Sequence, residues 1–282
     1  MNPAAATAPP YVAADPAIAC AATRHGPLFY FAQDAYIGRS LREYGEYSEL
    51  EFDLLRQLLG PGDTVVEVGS NIGTLTVPLA RCILPQGRLY AIEAQRRVFQ
   101  LLCANVVING LPNVHAIHGA GSSGVAHVPL AVIDYSAPGN FGGVALAGGA
   151  PPEALVEMVQ PYAIDDLGLA ACKLIKIDVE GMELDVVRSA RQTIAEYRPL
   201  LYLENDRDDL SAALIETIRS FGYRLWWHVP PLFNPGNFAG KAENIFVGVA
   251  SFNMLCVPRE IGFEMPGAIE ILGDIKRPVI TL

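Results

Sequence analysis

From Thr64 to Phe221 the sequence switches repeatedly between short apolar runs and amphipathic stretches, and this alternation restricts the fold more than any other feature. Apolar runs at Thr64–Val68, Arg88–Glu93, 114–119, 173–178 and Leu200–Glu204 read as strands. The stretches at about 74–84, 97–109, 183–196 and 209–221 carry helical spacing. Strands that alternate with helices predict a parallel sheet with right-handed crossovers, the doubly wound α/β class. Composition agrees: 51% of residues are hydrophobic and 18% charged, as expected where strands are covered on both faces.

The organisation follows from where this rhythm stops. Residues 1–22, rich in Ala and Pro, read as a flexible lead-in without the basic start and apolar core of a signal peptide. Residues 23–282 read as one domain. A preface (23–60) holds a β-like piece at 28–32 and a helix through Leu50, Leu54, Leu55 and Leu58. A Gly/Pro-rich insertion at about 121–162 has the length and position of a substrate lid. Two β-like runs, Tyr223–His228 and 244–250, predict a closing hairpin that adds an antiparallel strand, followed by an extension at 251–282.

Charge and cysteine usage narrow the partners. The formal charge is −10, from 20 Lys+Arg against 30 Asp+Glu, with no basic stripe, which argues against nucleic acid. No run of ~18 apolar residues is present, so no membrane partner is expected. Cys20, Cys82, Cys103, Cys172 and Cys256 lack metal-site spacing and are odd in number, which suits the reduced thiols of a cytoplasmic protein. Nothing in the sequence excludes a homo-oligomer.

The sharpest local signal is TVVEVGSNIGTLT. Glu67 closes the first strand, Gly69 permits the tight bend, and Gly73 allows close approach and helix packing. A dinucleotide fingerprint would place glycine where Asn71 stands, and an acid before the bend repels a pyrophosphate. The same acid can help hold the amino group of a methionine moiety. Glu93 ends the second strand, where a carboxylate can accept hydrogen bonds from both ribose hydroxyls. Ser70 and Asn71 in the bend, Ala94 after Glu93, and Gly119 and Ala120 after the third strand complete the expected cofactor contacts.

Glu46-Tyr47-Ser48, DTVVEVGSNIGTLT, YAIEAQ, the Leu101…Asn105…Asn109 helix, YAIDDL and KLIKIDVEGMELDVVRSA together resemble the FkbM family of methyltransferases, from about Gly45 to Asn205. The resemblance implies a class I methyltransferase domain, a Rossmann-like sheet of about seven strands. It implies S-adenosylmethionine as methyl donor and a hydroxyl of a sugar or secondary metabolite as acceptor. It also places Tyr47 beside the cofactor. Glu67 stands where many members carry Asp, which keeps the carboxylate.

Methyl transfer to an alcohol needs an aligned acceptor and a group that removes its proton. Ligands bind beyond the carboxyl ends of the strands, where Asp178, Glu180, Glu204 and Asn205 are expected to converge. Asp178, Glu204 and Asn205 are candidate Mg²⁺ ligands, hard oxygen donors from adjacent strand ends. The set is similar to the metal triad of catechol-type O-methyltransferases, with Gly181 where those enzymes carry lysine. His228, Glu180 and Asp178 are the candidate catalytic residues, with His228 and Glu180 ranked ahead of Asp206 as general base. Asp165-Asp166 reads as a helix cap. Two other readings stay open. One is an NAD-dependent oxidoreductase or epimerase, which would bind NAD(H) and not S-adenosylhomocysteine. The other is a non-catalytic S-adenosylmethionine-binding protein.

Overall fold

The computed structural model describes residues 15–122, 124–143, 155–273 and 278. The first 14 residues of the expected lead-in and residues 144–154 of the expected lid lie outside them.

The preface opens with strands β1 (Ile18–Thr23) and β2 (Gly26–Phe31), an antiparallel hairpin, so the lead-in gives way to strand before residue 22. Helices α1 (Ile37–Tyr44) and α2 (Glu49–Leu55) follow. The alternating region then runs β3 (Thr64–Val68), α3 (Thr76–Cys82), β4 (Arg88–Glu93), α4 (Arg96–Ile108) and β5 (Val114–His118). The insertion contributes β6 (Ala120–Gly121), β7 (Val128–Ala131), β8 (Val156–Val159) and β9 (Pro161–Tyr162), paired as two small sheets. After a 3₁₀ turn at Ile164–Leu167 come β10 (Leu174–Ile177), α5 (Glu183–Ser189), α6 (Arg191–Tyr197), β11 (Leu200–Glu204), α7 (Asp208–Ser220), β12 (Tyr223–His228), β13 (Asn253–Pro258) and β14 (Ile269–Glu270).

The main sheet has the order β14-β12-β13-β11-β10-β3-β4-β5. Strands β5, β4, β3, β10 and β11 pair in parallel, and β13 runs antiparallel between β11 and β12. One apolar cluster packs under α5–α7 around Val66, Ile175, Leu203 and Ile215. The other packs under the preface, α3 and α4 around Val65, Leu89, Leu102 and Leu174. Neighbouring residues of one strand thus serve opposite layers, as a sheet covered on both faces requires. The chain winds one way from β3 to β4 and the other way to β10, which opens a crevice at the carboxyl ends of these strands. Among the described residues no helix is long and apolar enough to cross a membrane.

The returning strand is not at 244–250, where the sequence pattern put it, but at β13. Gly248, at φ +73, interrupts the apolar run, and Val247 is 79% exposed, whereas all six residues of β13 are buried. The expected helix over 183–196 is two helices that meet at Ala190. Asp165 decides this break: its carboxylate accepts the N–H groups of Gln192 (2.9 Å) and Thr193 (2.8 Å), so it caps α6 rather than its own turn. Asp165→Ala leaves those amides without this acceptor and is expected to lower unfolding free energy by about 1 kcal/mol. Urea unfolding reads this directly; an unchanged midpoint and slope would remove the cap from the account.

Candidate active site

Four elements aim their ends into the crevice, a cavity of about 320 Å³. β3 delivers Glu67 and the bend behind it. Gly69 takes φ +79, and a Cβ there would lie 1.7 Å from the carbonyl oxygen of Asp178, so only glycine lets the β3 and β10 loops close on each other. The N–H groups of Gly69 and Ser70 both go to the Ile92 carbonyl, that of Asn71 to Glu93 Oε2, that of Ile72 to Asn71 Oδ1, and that of Gly73 to Ser70. The bend therefore has no amide left for a pyrophosphate, a physical reason against dinucleotide binding.

Glu67 is 1% exposed and takes the Thr76 hydroxyl at 2.5 Å; burial pushes its carboxyl up, and Lys176 and Thr76 pull it back. Glu93 accepts the amides of Asn71 (2.9 Å) and Gln95 (2.7 Å), one on each oxygen. Each oxygen keeps a further lone pair for a ribose hydroxyl. Burial raises its pKa to about 7 against the pull of those amides. Tyr47, Ser70, Asn71, Ala94 and Ala120 all line the cavity. Gly73 does not: a Cβ there would meet Leu102 Cδ1 at 2.9 Å, so its role is helix packing. Asn140 and Gly142 of the insertion do line it, latched by Gln95 Nε2 to the Phe141 carbonyl (2.8 Å) and by Phe141 N–H to Asp34 (3.3 Å). These groups suit S-adenosylmethionine: a carboxylate for a ribose, small residues beside a flat ring, and no phosphate cradle.

At the β10–β11 end, ligand oxygens of Asp178, Glu180 and Glu204 lie within 4.8 Å of one another. Three anions this close cannot all stay ionised without a compensating charge or donor. Burial, then Asp178, Glu180 and Asp206, push Glu204 well above the usual carboxylate range, and its buried Oε2 has no nitrogen or hydroxyl partner among the described residues. Burial, then Asp178 and Asp206, raise Glu180 to about 7, while Arg207 Nη2 holds it at 3.0 Å. Ser48, Asn71 and Glu180 line the cavity with left-handed φ angles of 55°, 50° and 55°, costly conformations that cluster at this cleft.

Besides Gly73, two expected site residues are elsewhere. Asn205 is 4% exposed and gives its amide to Ser211 Oγ (2.9 Å) and Met254 Sδ (3.2 Å). Successive strand residues face opposite sides, so Glu204 takes the cleft and its neighbour the core; Glu180 joins the acidic triad in its place. His228 is not in the cavity wall either. Its Nδ1 meets the Tyr202 hydroxyl at 2.8 Å, and burial lowers its pKa to about 4.

Two charged cavity residues escaped the sequence reading. Lys176 sits 3.1 Å from Asp178 and 3.4 Å from the Gly69 carbonyl. Burial opposes its charge, but Asp178, Glu67 and Glu51 outweigh that and raise its pKa. A lysine inside the apolar run LIKI was a visible sign of a buried counter-charge. Glu51 is the other. The Ser48-x-x-Glu51 spacing reads as a capping box, yet Ser48 makes no side-chain cap bond and Glu51 is 5% exposed in the cavity wall.

A family model described as the methyltransferase FkbM domain matches residues 67–225. A protein-L-isoaspartate O-methyltransferase of Aeropyrum pernix is 28% identical over 153 residues, covering 53% of this chain and 55% of that protein. The match thus spans about half of that relative's length. Among solved structures, the precorrin-6y C5,15-methyltransferase of Geobacter metallireducens superposes with a TM-score of 0.50 at 11% identity, over 77% of this chain and 95% of the other. A methyltransferase FkbM of Methylobacillus flagellatus gives 0.46 at 16% identity, over 70% and 44%. At such identities the first likeness bears on fold alone.

Proposed function

We propose, from the premise that this chain belongs to the FkbM methyltransferase family, that it methylates a hydroxyl of a small molecule such as a sugar or secondary metabolite. The family makes it an S-adenosylmethionine-dependent methyltransferase; the nature of the acceptor is our reading. When bound, S-adenosylmethionine supplies a methyl carbon activated by a sulfonium. The chain's part is to hold donor and acceptor in line and to accept a proton. We assign Glu67, Glu93 and the bend at Gly69–Asn71 to the donor side, and Asp178, Glu180 and Glu204 to the acceptor side.

The observation that carries the hydroxyl reading is Glu204 Oε2, buried within that triad of acids with no nitrogen or hydroxyl partner among the described residues. A buried acceptor oxygen calls for a donor, and vicinal hydroxyls would give several to a wall of carboxylates. The net charge of −10 works against a polyanionic acceptor. The triad equally favours a second reading, in which a divalent cation such as Mg²⁺ is held by Asp178, Glu180 and Glu204. Such an ion would polarise an acceptor oxygen and lower its pKa.

One experiment addresses both. Transfer of labelled methyl from S-adenosylmethionine to a panel of sugars, polyols, catechols, amines and carboxylates is expected to give ether products. Label confined to amines or carboxyls ends the hydroxyl reading. Treatment with EDTA that abolishes turnover, with recovery on Mg²⁺, selects the metal reading; turnover indifferent to EDTA rejects it.

A further inference from the structure

Residues 139–143 of the insertion pack against the same two residues that hold the Glu93 carboxylate. Asn71 and Gln95 give their N–H groups to Glu93 Oε2 (2.9 Å) and Oε1 (2.7 Å). Gln95 Nε2 in turn donates to the Phe141 carbonyl at 2.8 Å, and a Cβ on Gly142 would lie 3.3 Å from Asn71 Nδ2. The insertion thus meets the ribose carboxylate's supports on both sides. Asn140, Gly142 and Gly143 face the cavity there.

This short stretch is fixed from behind. A parallel bridge joins Gly139 to Asp34 of the preface: Ala35 N–H donates to the Gly139 carbonyl (2.8 Å), and Gly139 N–H to the Gln33 carbonyl (3.2 Å). The Phe141 ring, 3% exposed, sits edge-on to Phe31 and Tyr135, with centroids 5.6 and 5.0 Å away, and those two rings stack at 4.3 Å. A carbonyl can only accept, so the Phe141 bond fixes which way the Gln95 amide points. Its oxygen then takes the Tyr135 hydroxyl at 2.9 Å, and both polar ends of the amide serve the insertion. All of these bonds lie within the chain, so they order the stretch independently of a cofactor. A wall ordered in advance spares binding the cost of ordering it.

We propose that residues 139–143 form the ribose-side wall of the S-adenosylmethionine seat, and that Gln95, Tyr135 and Phe141 are positioning residues that preorganise it. The insertion thereby serves the methyl donor, where its length and place in the sequence suggested a substrate lid. The proposal rests on the donor-side assignment of Glu67, Glu93 and the bend. Neither Tyr135 nor Phe141 lines the cavity, so an effect of either on the cofactor must pass through the wall.

Titration with S-adenosylhomocysteine reads this without an acceptor. Gln95→Met and Phe141→Ala are each expected to raise Kd by about 10-fold, chiefly through faster release, because the wall must then be ordered on binding. Tyr135→Phe keeps the ring contacts and loses one hydrogen bond, so a rise of about 3-fold is expected. Hydrogen exchange at the Phe141 and Gly143 amides should slow on binding in the wild type and stay fast in Gln95→Met. A lowered melting temperature with Kd within about 2-fold of wild type in Gln95→Met and Phe141→Ala would make these residues scaffold alone and overturns the proposal. Weakening in Gln95→Met but not in Phe141→Ala means direct contact with the cofactor and overturns it too, as does wild-type exchange that the ligand leaves unchanged. Glu93→Ala separates this proposal from the reading beneath it. If Glu93→Ala weakens binding while Phe141→Ala does not, the wall alone fails; if Glu93→Ala binds like wild type, the donor-side assignment fails and the wall with it.

Discussion

Gly69→Ala is expected to weaken S-adenosylhomocysteine binding by at least about 100-fold and to destabilise the fold by roughly 2–3 kcal/mol. The added methyl carbon would lie 1.7 Å from the Asp178 carbonyl oxygen, a backbone atom that no rotamer change can move aside. Two further costs stack on that overlap. The position has φ +79, which residues with a Cβ adopt poorly. Gly69 also sits where the β3 loop hydrogen-bonds Ile92, so a shift there pulls Ser70 off the same carbonyl. Relief requires the β3 and β10 ends to separate, which moves Glu67 and Asp178 apart and opens the cavity between them. Isothermal titration and thermal unfolding measure the two effects. A variant that binds within 3-fold of wild type would show that the bend is not the cofactor seat.

The second large effect is at Glu93. Glu93→Ala removes an acceptor for ribose hydroxyls and frees the amides of Asn71 and Gln95, so affinity should fall by about 1–3 kcal/mol, or roughly 5- to 150-fold. The same side chain governs a pH response whose sign is fixed. Its pKa is 4.5 in the ordinary state and about 7 in the folded protein. Between those values the folded state holds a proton that the unfolded chain has lost. This stabilising contribution is complete below pH 4.5 and is lost as pH rises through 7, by at most ~3 kcal/mol. Glu180, also raised to about 7, adds in the same direction. Cofactor binding runs the other way: hydroxyl donors prefer the ionised carboxylate, so affinity should rise as pH passes 7. Glu93→Gln is expected to flatten the binding profile and part of the stability profile. Because His228, lowered to about 4, pulls stability the other way up to pH 6.5, the check is the comparison: a wild-type unfolding free energy that falls no more between pH 5 and 8 than that of Glu93→Gln would contradict the burial argument.

The acidic wall and the cofactor bend impose opposite demands on the same few residues. Lys176 reconciles them, since it neutralises part of the field of Glu67, Asp178 and Glu51 from beneath. That placement follows from register alone: Lys176 pairs with Glu67 on one side and Tyr202 on the other, so all three share a sheet face.

What the sequence by itself determined is the local and the periodic. The strands at Thr64–Val68, Arg88–Glu93 and Leu200–Glu204 match their predicted bounds, because a buried parallel strand must be an unbroken apolar run and little else of that length can be. The glycine bend and the two carboxylates that frame it were legible for the same reason, since a backbone conformation open to glycine and a strand-end acid leave their mark within a few residues. Tertiary structure decided whatever depends on which side of a strand faces what. Asn205 looked like a ligand beside Glu204, but alternation turned it into the core. His228 looked like a base, but its ring is taken by Tyr202, a residue 26 positions away. The return strand went to Asn253–Pro258 over an equally apolar rival, because one glycine and a solvent-facing valine spoil the other run only in three dimensions. Glu51, three residues past a helix cap, gained its place in the cleft from packing of the preface over β10 and β11. Spacing along a chain encodes what neighbours do to each other; contacts between distant segments are set by how the layers close, and no short window of sequence contains them.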